Sequence, residues 1–430
     1  MGATSSVLDT NRDIKENLVR RLVFFLIIWV LLTLQAAAAP GRVYTLKELE
    51  EIALQVHPSL KAAFEATRQA DADWRITRQY PNPELDIGVS SQKTKGGEGP
   101  LTGTGYNLTV TQPIEWVGRR AKRQEAARYG IEAGKKRQDN EALNVKAKLM
   151  ELFYRLLASN QLFKITTDNL DTAQNLLRLV ETRVRVGESR RIELVKAQVE
   201  YANTEREFEK AKGTLETDRQ VLNRFLGGHL EPNFSLSGDG GPKKPVPPIE
   251  QLRQTVLGNH PLIAVQQANI NQTESTLKAE RQAWVPDLNV KFFRNDDIDR
   301  RDVGGGVMLN LPVWNQKRGE AAKAAAAARQ SQYELQLVKQ DLETRLISQY
   351  SLYQVARKQV ESFQSTILPE AAEALRLAEF TYQHGESGLL ELLDSFRVYR
   401  STQKDYYSAL LDCWLTRIEL WRITGGEIGN

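Results

Sequence analysis

Apolar residues recur along most of this chain with the period of a helix, and in two places that period gives way to alternation. From Leu46 to Val56 and from Pro58 to Arg78 the apolar positions fall three or four residues apart, which predicts two helices. Beyond Pro81 the period drops to two. Leu85, Ile87 and Val89 alternate with Glu84, Asp86, Gly88 and Ser90. After a glycine-rich tip from Gly96 to Gly105, Tyr106, Leu108 and Val110 alternate with Asn107, Thr109 and Thr111. The same switch returns late in the chain. There Leu288, Val290 and Phe292 stand against Asn289 and Lys291, then Val307, Leu309 and Leu311 against Met308 and Asn310, with Met308 the weak point of the pattern. These runs predict one β-hairpin over 84–112 and another over 288–312.

A long helical stretch follows each hairpin. No proline occurs between Val117 and Val186, which predicts about 70 residues, or roughly 100 Å, of continuous helix. Within it Leu170, Ala173, Leu177, Val180 and Val184 step by threes and fours, the spacing of a coiled-coil seam. Gly187 ends the helix, and a second one is expected to run back to Gly227. The later half repeats the design from Lys317 through Gly385 to Gly425, with Pro369 expected to kink the helix or shift its phase.

The two halves are copies. Val186-Gly187-Glu188-Ser189 returns as His384-Gly385-Glu386-Ser387, and at the same offset Glu193-Leu194 returns as Glu391-Leu392 and Gly227-Gly228 as Gly425-Gly426. At a slightly larger offset His57-Pro58-Ser59-Leu60 matches His260-Pro261-Leu262-Ile263, and Pro83-Glu84-Leu85 matches Pro286-Asp287-Leu288. A short deletion therefore falls between Leu288 and Pro312. The copies span 45–228 and 249–427, joined by a glycine- and proline-rich linker over 229–248.

Composition narrows the class. Of 430 residues 26% are charged, too many for a helical inner-membrane protein. Arg20 and Arg21 precede the apolar run Leu22 to Leu34, followed by Ala36 to Ala39; this reads as a secretory signal over 1–38. The net charge of +4 is spread among interleaved acids and bases, which argues against a nucleic-acid partner. The single cysteine, Cys413, excludes an intrachain disulfide and a CxxC metal site. The histidines show no HExxH spacing, and His384 has no second ligand near in sequence. Gly385-Glu386-Ser387-Gly388 fails the GxSxG pattern, and Gly304-Gly305-Gly306 lacks the Lys-Ser/Thr of a phosphate loop. No catalytic, cofactor or metal site is expected, and the chain does not read as an enzyme. An exported chain of this kind is soluble in the periplasm or part of a membrane β-barrel. Four strands cannot close a barrel, since about eight is the smallest number that does. Three chains together can.

These features resemble the TolC family of outer-membrane efflux channels over the whole region after the signal. The resemblance is carried by the turn patterns Val184-Arg185-Val186-Gly187-Glu188-Ser189 leading to Glu193-Leu194, and Tyr382-Gln383-His384-Gly385-Glu386-Ser387 leading to Glu391-Leu392-Leu393-Asp394. Gln112-Pro113-Ile114-Glu115 with Gly118-Arg119-Arg120, and Leu309 to Gln316, are similar to the cobalt–zinc–cadmium efflux branch. The resemblance implies a mainly α fold with a small β part: long antiparallel coiled-coil helices plus two β-hairpins per chain. It implies a homotrimer with a twelve-stranded barrel in outer-membrane lipid and a helical tunnel reaching into the periplasm of a Gram-negative-type bacterium. The turns at Gly187, Glu188, Ser189, Gly385, Glu386 and Ser387 would form the periplasmic tip that docks a membrane-fusion adaptor and, through it, an inner-membrane RND-type pump. Glu391 and Asp394 match the family's pore-constricting acidic ring. In the first copy Glu193 matches one of these positions, but Lys196 stands at the other. The expected function is a passive exit duct, with heavy-metal cations as the expected cargo from resemblance alone. A conduit for type I protein secretion or drug efflux, and a soluble periplasmic coiled-coil scaffold, are the alternatives.

Overall fold

In a computed structural model of the chain, residues 42–96, 99–238 and 245–428 are described; the expected signal over 1–38 lies outside them. Strand β1 (Val43–Thr45) leads into helix α1 (Leu46–Val56), whose start is fixed by a capping box. The Thr45 side chain accepts from the Glu48 amide, and the Glu48 carboxylate accepts from the Thr45 amide at 2.8 Å. Helix α2 (Pro58–Arg78) follows at once. His57 caps it, its Nδ1 accepting from the Ser59 amide, and Pro58 takes the first-turn position where its missing N–H costs nothing. The second copy repeats this with α5 (Ile249–Asn259) and α6 (Pro261–Glu280), where His260 Nδ1 accepts from the Leu262 amide at 3.1 Å. Burial first, then the neighbouring Arg422 charge, hold the His260 ring down to about 4, so it is neutral and free to accept. The paired histidines are helix caps.

Each hairpin comes next. Strands β2 (Glu84–Gly96) and β3 (Gly99–Ile114) form the first, β5 (Leu288–Asp296) and β6 (Arg301–Leu309) the second. The glycine-rich stretch expected as a tip is itself paired: Ser90 faces Gly105 and the ladder continues to Gly96 opposite Gly99. Backbone hydrogen bonds need no side-chain alternation, so the ladder outlasts the hydrophobic pattern. The deletion inferred in the second copy shortens the strands and not only the loop. Crucially, β3 also pairs with β5, antiparallel, from Tyr106 opposite Asp296 to Ile114 opposite Leu288. The two hairpins thus make one four-stranded sheet in the order β2-β3-β5-β6, with β2 and β6 as its edges.

The long helices leave the sheet at one end. Helix α3 (Val117–Arg185) is unbroken for 69 residues, and α4 (Arg191–Phe225) runs back along its second half. In the second copy α7 (Arg318–Ser362) passes through a π-helical turn (Phe363–Ile367) into α8 (Leu368–Gln383), and α9 (Leu389–Ile423) returns. Pro369 has no N–H for the Ser365 carbonyl, and the wider π turn just before it takes up the clash as a phase shift.

Among the described residues four apolar clusters hold the rods together, three of them large. One joins Leu49, Leu149, Phe153, Leu222 and Leu226 midway along α3. A second, its counterpart, joins Val256, Leu346, Leu420 and Ile423. The third lies near the turns and joins Val180, Ala197, Tyr382, Leu392, Leu393 and Phe396. The linker is partly built into the first cluster. Leu230 and Phe234 are buried there, and strand β4 (Ser235–Ser237) pairs parallel with β1.

Candidate functional site

The candidate surfaces lie at the two ends of the rods. At the turn end, α3 and α8 both stop in the same hydrogen-bonded motif. Gly187 and Gly385 adopt φ of 81° and 76°, conformations that favour glycine. The Glu188 amide donates to the Arg183 carbonyl and the Gly187 amide to the Val184 carbonyl; Glu386 and Gly385 do the same to Thr381 and Tyr382. These are Schellman caps, which satisfy the last carbonyls of each helix and reverse the chain. No side chain packs over either glycine, and Glu188 and Glu386 are exposed. Ser189 and Ser387 are half-buried, and the Ser387 hydroxyl lies 2.9 Å from that of Thr381. The two turns sit side by side. Arg183 Nη2 donates to the Gln383 carbonyl at 2.9 Å, and its guanidinium lies 4.7 Å from the centre of the Tyr382 ring.

Glu391 and Asp394 occupy the first turns of α9. Leu389, Leu392, Leu393 and Phe396 point into the cluster between the hairpins, which leaves Glu391 and Asp394 on the opposite, exposed face. Neither carboxylate has an intrachain ion pair or hydrogen bond among the described residues. Glu193 differs: it lies 3.6 Å from Arg190, with Lys196 exposed a turn further on. Among the described residues, therefore, the second copy presents two acids without an intrachain partner, whereas the acid of the first lies beside Arg190. His384 Nδ1 donates to the Phe380 carbonyl at 2.8 Å and its ring stacks on that of Phe380, so its hydrogen bonding is local.

One site near the turns was not legible in the sequence. Glu200 on α4 is 1% exposed, and Arg397 and Arg400 of α9 hold its two carboxylate oxygens at 2.6 and 3.0 Å. Arg400 also donates to the Thr204 hydroxyl and packs on Phe396. The only available signal was a break in the duplication, since Val398, Val199 and Ala202 stand at the corresponding places of the other copy.

At the other end, the sheet divides by face. Leu85, Ile87, Val89, Tyr106, Leu108 and Val110 share one face with Phe292, Val303 and Val307; the apolar run is interrupted toward the end of the second hairpin, where Leu108 faces Arg294 and Tyr106 faces Asp296. These side chains lie open to the surroundings, from Val110 at 38% to Val303 at 82% exposed. The other face carries Glu84, Asp86, Ser90, Asn107, Thr109, Thr111, Asn289 and Lys291. Exposed Tyr80, Trp116, Trp284 and Trp314 gather where the strands meet the helices. Here the residues singled out around Glu115 form a brace. Glu115 pairs with Arg119 and Arg123 at 3.5 and 3.1 Å, while Asp287 accepts from the Trp116 amide and from Arg119, tying the first hairpin to the second. Among the described residues no helix is long and apolar enough to cross a membrane, and no cluster of His, Cys, Asp and Glu could hold a metal ion.

Comparison with known proteins agrees with this geometry. Residues 49–228 and 252–426 match the family described as outer membrane efflux protein. The chain is 26% identical to the cobalt-zinc-cadmium resistance protein CzcC of Cupriavidus metallidurans, over 89% of this chain and 90% of that one. It is 23% identical to the pyoverdine export outer membrane protein OpmQ of Pseudomonas putida, over 89% and 86%. A crystal structure of CusC superposes with a TM-score of 0.76 at 18% identity, covering 90% of this chain and 94% of CusC, which shows the shared fold. The chain belongs to the outer membrane efflux protein family, as the outer-membrane channel component of a tripartite efflux pump.

Proposed function

We propose that three copies of this chain close a twelve-stranded barrel in the outer membrane and a helical tunnel below it, forming a passive duct for heavy-metal cations. The observation that carries this reading is the open sheet. Its apolar face is bare, and its edges β2 and β6 present unpaired backbone groups that would cost several kcal/mol each in lipid. Pairing β2 of one copy with β6 of the next satisfies both edges and turns the bare face to lipid. Tyr80, Trp116, Trp284 and Trp314 then fall at one membrane–water boundary, where aromatic rings are favoured. The cargo reading rests on the similarity to CzcC, a cobalt-zinc-cadmium resistance protein. Chromatography in detergent is the test: the purified protein is expected as a heat-sensitive trimer, and a monodisperse monomer in plain buffer would remove the reading.

The turns at Gly187-Glu188-Ser189 and Gly385-Glu386-Ser387 are the docking surface for a periplasmic membrane-fusion adaptor in this proposal, with an RND-type pump beyond it. Their exposed acids and the absence of packing over the glycines leave room for a partner. Glu391 and Asp394 supply the constriction. A threefold axis sets three copies of each unpaired carboxylate around the tunnel, where they repel one another and attract cations. Replacing both with alanine is expected to raise single-channel conductance in planar bilayers and to weaken cation preference. Unchanged conductance and selectivity would dismiss the ring and leave the fold untouched.

A further inference from the structure

The two hairpins differ in length, and the difference is used. Strands β2 and β3 have 13 and 16 residues, whereas β5 and β6 have 9 each, so the first hairpin projects beyond the second. β5 runs out at Asp296 opposite Tyr106, which leaves β3 without a β5 partner from Gly99 to Gly105. The turn of the shorter hairpin does not stand free at this point. It bends across the first hairpin, and Gln92 holds it from both ends: Nε2 donates to Asp297 Oδ1 at 2.5 Å, and Oε1 accepts from the Ile298 amide at 3.4 Å. Ile298 settles on Gly103, where even a Cβ would come within 2.9 Å of it, so a larger residue at Gly103 would force the Ile298 side chain to shift. The turn is closed on itself by the Asp297 amide donating to the Arg300 carbonyl at 2.8 Å.

The face on which the turn lies follows from the register. Gln92 pairs with Gly103, and the ladder between β2 and β3 runs from Glu84 to Gly96 without a bulge. Gln92 and Gly103 therefore share the polar face with Glu84, Asp86, Ser90, Asn107 and Thr109. That is the face turned inward once the barrel closes. Asp297 and Ile298 are half-buried against it, while Asp299 and Arg300 remain exposed.

We infer that residues 297–300 form an inward-folded strap at the outer mouth of the barrel, and that three straps together make an exit-side size filter. Small hydrated ions pass it; bulky solutes from outside do not. The inference rests on the barrel reading above, since only closure makes the polar face a lumen. Ile298 supplies the steric bulk and the Gln92–Asp297 contact holds it down.

Two measurements test it, both in a Cys413→Ser background. First, Thr109→Cys places a thiol on the polar face below the strap. A small membrane-impermeant maleimide added to whole cells is expected to label it equally whether the strap is intact or replaced by Asp297→Gly with Ile298→Gly. A polymer-linked maleimide is expected to label the replaced form roughly tenfold faster. Equal rates with the polymer reagent, in variants that both run as trimers, would overturn the strap and leave the barrel standing. No labelling by the small reagent, with no trimer in detergent, would instead remove the barrel reading and the strap with it. Second, Gly103→Cys with Ile298→Cys is expected to form an intrachain disulfide on mild oxidation. Failure to cross-link within an intact trimer would overturn the inward fold.

Discussion

Replacing Val89 with arginine is expected to abolish outer-membrane assembly, whereas Thr109→Lys, on the other side of the same hairpin, is expected to leave it largely intact. Val89 is 66% exposed and lies in mid-strand, between Ile87 and Ser91 and directly opposite Tyr106. On the lipid side of a barrel an arginine near the midplane costs about 2–4 kcal/mol. A trimer carries that cost three times over, against a total stability that for ordinary domains is only about 5–15 kcal/mol. The polar face sets a different rule: Thr109 pairs with Asp86 across β2, so a lysine there gains a nearby carboxylate and faces water. The measurement is the yield of heat-sensitive trimer recovered from outer membranes. Normal yield for Val89→Arg would mean that this face meets no lipid, and the open sheet would need another cover.

What could be read from the sequence and what could not separate along physical lines. The alternation at Leu85, Ile87 and Val89 marked a sheet with one apolar face because burial and exposure both leave a period in the chain. Gly187 and Gly385 marked the turns because their backbone conformation restricts residue type and the duplication showed the restriction twice. The pairing of β3 with β5 left no such trace. Either face of either hairpin is equally compatible with a neighbour, and the residues that meet there, Val110 with Phe292 and Thr109 with Phe293, would suit many partners. The anchoring of the linker left no trace for a related reason. Its glycines and prolines dominate the composition, yet Leu230, Phe234 and Leu236 anchor its first section in the core beside Tyr44. Of the candidate site residues, the turn glycines and Glu391 were legible because they sit at repeated positions, whereas Asp394, with Lys196 at its counterpart, was singled out by the family resemblance alone. The Glu200 site was hidden because its residues are the ones the copies do not share. Each is an unremarkable charge on a long polar helix until the fold sets α4 beside α9.

That hidden site carries the second large effect. Glu200→Ala is expected to destabilise the turn end by about 3–5 kcal/mol, the usual cost of removing one partner from a buried ion pair. Arg400, only 11% exposed along its side chain, would keep Thr204 and a Glu207 carboxylate 3.9 Å away, which is too little to balance a desolvated guanidinium. Arg397 is half exposed and can turn to water, so Arg397→Ala is expected to cost much less, within the range of about 0–1 kcal/mol typical of surface pairs. Glu200→Ala combined with Arg400→Ala is expected to recover part of the loss, because no unpaired charge then remains in the interior. Since α4 and α9 touch at few other places, the loss concentrates between the two helical hairpins and not in the barrel. Limited proteolysis of the detergent trimer reads this directly: cleavage near Arg185–Arg191 and around Gly385 is expected to accelerate in Glu200→Ala while the trimer itself persists. If cleavage and melting temperature match the parent protein, the three charges are spectators and the hairpins are held by the Tyr382–Leu393–Phe396 cluster alone.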